Sequence, residues 1–156
     1  MLFEYCDTAD RLSAIDGRLF ILLSEADEDA FLEVLRERNE PFYGAVVPAL
    51  IYDSKLMLNG ALIAQLREDC AVALVSNISE PSMDALQALA SKPTLYCFID
   101  SFSKDLEKFL RQTFSYLKDD VRMVGGGAGK MTLKQEPVIF DAQGIYSNSA
   151  LMIGID

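Results

Sequence analysis

Gly125, Gly126, Gly127 and Gly129, interrupted only by Ala128 and followed at once by Lys130, are the residues of this chain best placed to do chemistry. Four near-adjacent glycines leave backbone N–H groups unshielded and free to take positive φ. Such a segment can close around a small anionic or polar group, with the Lys130 ammonium adding positive charge. Two nucleotide motifs are excluded by the spacing. Met131 stands where a phosphate-binding loop needs Ser or Thr after Gly-Lys, and Val124 stands where its first glycine belongs. The residues after the cluster read as strands, not as the helix whose N-terminus holds a pyrophosphate in a G-x-G-x-x-G site. The same glycines also have a reading without a ligand, as backbone packed closely against a neighbouring strand.

Histidine is absent from the 156 residues, which removes the commonest zinc ligand, the usual general base near neutral pH and the middle member of Ser-His-Asp or Cys-His machinery. No catalytic residue, metal site or cofactor is assigned. Cys6, Cys70 and Cys97 are odd in number, widely spaced and set among mostly apolar neighbours, so they read as reduced thiols in a cytoplasmic setting rather than as a disulfide framework. The net charge of −10, from 24 acidic against 14 basic residues with no basic tract, argues against a nucleic-acid backbone or an anionic membrane as partner. The first residues lack the basic and apolar regions of a signal peptide, and no apolar run approaches the ~20 residues that span a bilayer.

The elements that must position the glycines read as α/β, a mixed α+β chain of one domain (1–156), with 51% hydrophobic residues to fill its core. The same unit occurs twice, over about 6–66 and 79–155, in the order helix, strand, helix, glycine-bearing strand, hairpin. In the first unit a weak helix near Thr8–Ile15 precedes the buried strand Leu19–Leu23. A helix then starts at Asp27 with acidic residues in its first turn, and Phe42–Val47 follows as the glycine-bearing strand. In the second, Ser79 caps and Pro81 starts a helix through Met83, Leu86 and Leu89. Leu95–Ile99 is the buried strand, and Ser103 caps the strongest helix, with Leu106, Phe109, Leu110, Thr113, Phe114 and Leu117 on one face. The glycine cluster, expected as a loop, corresponds by order to Gly44. The tails match as well: Pro48–Asp53 against Pro137–Asp141, and Asn59–Ile63 against Asn148–Met152. Ala71–Ser76 is a further strand joining the halves. Pro48 marks an edge or a bulge, because proline cannot donate to a neighbouring strand. The duplicated α-β-α-β-β-β unit predicts mixed β-sheets with helices on their outer faces.

With those residues in view, the chain resembles the N-terminal region of the FIST domain. The resemblance rests on Gly125–Gly129 with the strands Pro137–Phe140 and Ser149–Met152, and on Tyr43–Asp53 as the earlier glycine-strand-hairpin segment, covering about Arg18 to Asp156. It implies a cytoplasmic sensory module that binds a small metabolite, such as an amino acid or another carboxylate, and relays it to an output domain or partner protein in signal transduction. Three departures stand out. Lys130 replaces the acidic residue that usually follows the glycine cluster in that family, apolar Ala45-Val46-Val47 replaces a Ser/Thr-rich turn, and the family's C-terminal half lies outside the match, as in a truncated or minimal version.

The leading reading is therefore a non-enzymatic ligand-binding module. Its site comprises Gly125, Gly126, Gly127, Ala128, Gly129 and Lys130, with Tyr43, Gly44, Tyr52 and Asp53 lining the matching position of the first unit. Tyr43, Tyr52 and Asp53 also have ordinary structural uses, as core aromatics and a turn residue. Alternatives are an enzyme using Asp53 and Asp141 as a carboxylate pair, or Cys97 as a nucleophile, and a structural or homodimeric interaction module pairing through hairpin edges such as Leu56–Leu66.

Overall fold

A computed structural model describes residues 1–117 and 121–156, with the side chain of Met83 left undescribed. The first half gives β1 (Glu4–Cys6), α1 (Ala9–Leu12), β2 (Leu19–Ser24), α2 (Glu28–Arg36), β3 (Phe42–Val47), β4 (Leu50–Tyr52), β5 (Lys55–Met57) and β6 (Ala61–Gln65). The second gives β7 (Ala71–Val75), α3 (Met83–Gln87), β8 (Thr94–Asp100), α4 (Leu106–Leu117), β9 (Arg122–Ala128), β10 (Ile139–Asp141), β11 (Gly144–Tyr146) and β12 (Ala150–Ile155). Short 3₁₀ turns precede α2 and follow α3.

The strands form a sheet ordered β1-β6-β2-β3-β10-β11, a second ordered β7-β12-β8-β9, and a separate ribbon β4-β5. Both large sheets are mixed. Each contains one parallel pair joined through a helix, β2 with β3 and β8 with β9, as parallel neighbours require a crossover. Each also has an antiparallel strand on the other side of the crossover pair, β6 against β2 and β12 against β8. Ile21 lies opposite Gly44 in the first parallel pair and Cys97 opposite Gly125 in the second.

The sheets pack face to face, with Phe20 of β2 against Phe98 of β8 at a ring separation of 5.1 Å. Alternation along the strands then divides the second sheet. Leu151 and Ile153, with Val72, Leu74, Tyr96 and Phe98, join the core of the first sheet, while Val75, Leu95, Cys97, Ile99 and Met152 pack with Leu86 and Leu89 and with Phe109 and Leu117 of α4. The result is a helix, sheet, sheet, helix sandwich, with the helices outside as the periodicity predicts.

Several local readings change. Gly125–Gly127 and Ala128 are strand, not loop: β9 is held in register against β8 from Arg122 to Ala128. Glycine's poor strand propensity is overridden because only glycine tolerates the close approach, since a Cβ on Gly125 (φ +151°) would be driven into the carbonyl of Cys97. Ser79 and Pro81 do not open a helix; Ser82 precedes α3 in extended conformation, and the Ser79 hydroxyl instead donates to Asp105 at 2.5 Å. Pro48 lies between β3 and β4, outside either strand. Ser103 does act ahead of α4, accepting from the Asp105 N–H at 3.2 Å and donating to Asn148 at 2.5 Å. Phe114, placed on the buried stripe by its spacing, is 51% exposed.

Candidate functional site

The glycine cluster divides between two places. Gly125, Gly126 and Gly127 form one wall of a cleft between β9 and α4, completed by Cys97, Ile99, Ser101, Leu106, Leu110, Phe114, Met123 and Val124, with a volume of about 450 Å³. The cleft exists because α4 crosses a strand whose side chains are missing: glycine leaves a gap that a valine or isoleucine would fill. The lining is apolar apart from the Ser101 hydroxyl and strand backbone, and it carries no charged side chain. A larger depression of about 700 Å³ beside Ser79, Glu80, Arg111 and Tyr116 is flatter and more open, so it offers less enclosure to a ligand.

The backbone directions in β9 follow from its ends. The Arg122 N–H donates to Pro93 O at 2.9 Å and Ala128 O accepts from the Ser101 N–H at 2.9 Å, so the even-numbered residues face β8. Alternation turns the N–H and C=O groups of Met123, Gly125 and Gly127 outward. Gly129, next in that alternation, donates to Val46 O of β3 at 3.0 Å.

Ala128, Gly129 and Lys130 belong to the second place, a latch onto the first half of the molecule. Ala128 is buried in the first sheet's core. Lys130 Nζ lies 2.5 Å from Glu28 Oε2 in the first turn of α2, with both side chains largely buried, and the Met131 N–H donates to the Glu25 carboxylate at 3.0 Å. The ammonium expected to meet an anionic ligand is thus paired with a carboxylate. A Cβ on Gly129 would come within 2.9 Å of the Phe102 ring, so this glycine too is set by packing.

The remaining residues named from sequence lie elsewhere. Gly44 is covered by Phe140, which pairs with it across β10 and β3, and Tyr43 stands opposite Asp141 in the same register. Tyr52 stacks on Tyr5 of β1 at 5.8 Å, and Asp53 with Ser54 makes the two-residue turn of the β4-β5 ribbon, at φ 48° and 61°. The Asp141 carboxylate accepts from the Gln143 and Gly144 N–H groups at 2.8 and 3.2 Å and from the Tyr146 hydroxyl at 3.1 Å, a turn-stabilising use. Because Tyr52 lies against β1, at one edge of the first sheet, and β10-β11 forms the other edge, Asp53 and Asp141 do not converge. Cys97 is buried, and that burial pushes its thiol up to about 12, so the nucleophilic thiolate is strongly disfavoured. Among the described residues no group of three His, Cys, Asp or Glu could hold a metal ion, and no helix is long and apolar enough to cross a membrane.

Sequence reasoning missed Ile99, Ser101, Leu106, Leu110, Phe114, Met123 and Val124 as lining residues. One signal was present: an aromatic stripe on a helix whose partner strand, one crossover later, has glycines where bulky residues would normally meet it.

The architecture is that of a two-sheet α/β sandwich with helices on its outer faces. A model of the FIST N domain family matches residues 17–156, nearly the whole chain, and the chain belongs to that family, whose members are sensory domains of signal transduction. No curated protein and no solved structure matches it.

Proposed function

We propose that this chain is a non-enzymatic cytoplasmic sensory module, built from two copies of one unit, which binds a small metabolite in the cleft between α4 and β9 and relays its presence to an output domain or partner. The observation that carries the reading is the cleft itself. Its volume of about 450 Å³ lies within the range of small-molecule sites, its walls are apolar, and its polar groups are few and mostly backbone. Such a lining favours a ligand with an apolar body and a hydrogen-bonding head over a simple inorganic anion. An amino acid with an apolar side chain fits that description, its carboxylate meeting strand N–H groups rather than Lys130. Occupancy can signal only through unequal affinity for two states, and α4, whose exposed Phe114 overhangs the glycine strand, is the element whose position a ligand would bias.

The test is a thermal-shift series with neutral, zwitterionic and acidic metabolites. A ligand at ~100 times its dissociation constant adds about 2.7 kcal/mol of stability, a rise of several degrees. The expected result is a shift that Leu110→Trp, which fills the cleft, removes and that Lys130→Met preserves. A shift preserved in Leu110→Trp but lost in Lys130→Met would move the site to the latch, and no shift with any compound would overturn the reading.

A further inference from the structure

The outer edges of the two glycine-bearing strands are treated differently. On β3 the edge is covered: β10 pairs along it with Phe140 opposite Gly44, and the Val46 N–H donates to Val138 O at 2.7 Å. On β9 the corresponding edge ends the sheet, and among the described residues no strand pairs with it. Gly125 holds the place in β9 that Gly44 holds in β3, each opposite the matching residue of the central strand, Cys97 or Ile21. The edge also lacks the usual protection against pairing, since β9 has neither a proline nor an inward-pointing charge and presents three consecutive exposed glycines. Beside it stand Val124, 47% exposed, and Phe114.

The chain also carries an unplaced donor. The β4-β5 ribbon has the same two-residue turn length as β10-β11, so its Ile51–Leu56 pair occupies the position that Phe140–Ile145 occupies in the other hairpin. In β10-β11, Phe140 is fully buried and Ile145 is half-buried against the core. In β4-β5, Ile51 is 74% and Leu56 66% exposed, and the ribbon pairs with neither large sheet. Its stacking on Tyr5, at the β1 edge of the first sheet, holds it away from the β9 edge of its own chain.

We infer that the open edge of β9 receives the β4-β5 hairpin of a second copy of this chain, extending the second sheet across the interface. The register of β10 on β3 carries over: β4 runs antiparallel to β9 with Ile51 opposite Gly125, Tyr52 opposite Val124 and Leu50 opposite Gly126. The Asp53 turn then falls beside exposed Arg122, an opposite charge. Main-chain hydrogen bonds from Gly125 and Gly127 supply the pairing, and burial of Ile51, Leu56, Val124 and Phe114 supplies the apolar gain. The proposed assembly is the reciprocal pair, each copy's hairpin lying on the other's β9 edge about a two-fold axis; head-to-tail chains that lengthen with concentration would count against it. The pairing needs no bound metabolite, and a ligand held by the outward N–H groups of Gly125 or Gly127 would compete with it.

The test is sedimentation velocity over a concentration series with single exposed-residue variants, together with directed cross-linking. The chain is expected to dimerise, and Leu56→Lys on the hairpin and Val124→Lys on the edge should each weaken association about tenfold or more without altering circular dichroism. Mixing Tyr52→Cys chains with Val124→Cys chains should give a disulfide between the two, absent when either is oxidised alone. A monomer throughout the range, a dimer indifferent to both lysines, or equal cross-linking of Val124→Cys chains to one another, which would mean β9 pairs with β9, would each overturn the proposal.

Discussion

Gly125 and Gly126 are neighbours with opposite obligations. Gly125 sits at φ +151° with the Cys97 carbonyl where its Cβ would go, whereas a Cβ on Gly126 meets nothing within 4 Å. Gly125→Ala should therefore cost roughly 2–4 kcal/mol, from backbone strain plus displacement of β9 from β8. Gly126→Ala should be neutral or stabilise by up to about 1 kcal/mol, because alanine restricts the unfolded chain without a clash. Urea denaturation of the two variants checks both, and equal losses would mean that the cluster's conformation is not set by packing against β8. The contrast also bears on what the cluster is for. Gly125 makes the strand pairing possible, and the missing side chains leave the cleft as a by-product.

At the scale of elements, the ribbon turn offers a direct test of its geometry. Asp53 and Ser54 both have positive φ, the arrangement of a type I′ turn, which neither residue favours as strongly as Asn-Gly does. Replacing the pair with Asn-Gly should stabilise the protein by up to about 1 kcal/mol, read as a raised thermal midpoint. The buried strands were legible in the sequence because β2 and β8, covered on both faces, are near-continuous apolar runs, and α4 because its stripe keeps helical spacing. The strand character of Gly125–Gly127 was not legible, since glycine's local preference opposes it and the deciding contact is with Cys97, far away in sequence. Ser79 misled for a related reason. Its hydroxyl is a good cap in isolation, but Asp105 and Asn148 claim it. The cleft draws its lining from β8, α4 and β9, so no single segment could announce it.

Across the whole molecule, the latch between residues 128–131 and α2 joins the two halves outside the sheet-to-sheet core. Lys130 and Glu28 are 18% and 16% exposed, so removing one partner leaves the other charge poorly solvated. Lys130→Met should cost about 1–3 kcal/mol, and the double variant Lys130→Met with Glu28→Leu should recover part of that loss. A double-mutant cycle by chemical denaturation checks it, with strictly additive single losses counting against any coupling between the pair. Nothing in the sequence pointed to this pairing, because it joins residues about a hundred positions apart and each reads locally as an ordinary surface charge. Family membership, by contrast, was legible from the glycine cluster and its flanking strands, and the family model covers residues 17–156.

The position of β12 has a consequence for how the molecule comes into being. It lies between β7 and β8 in the second sheet, yet it is the latest of the described strands in chain order. The first sheet can set β6 between β1 and β2 as soon as residue 65 is available. During vectorial synthesis β7, whose one pairing partner among the described strands is β12, must wait with both edges bare and its apolar face uncovered until Ala150–Ile155 leaves the ribosome. A nascent chain halted shortly before β12 emerges would thus present an assembled first half beside a β8-β9 pair and an unpaired β7, the state in which chaperone capture and misassembly should concentrate.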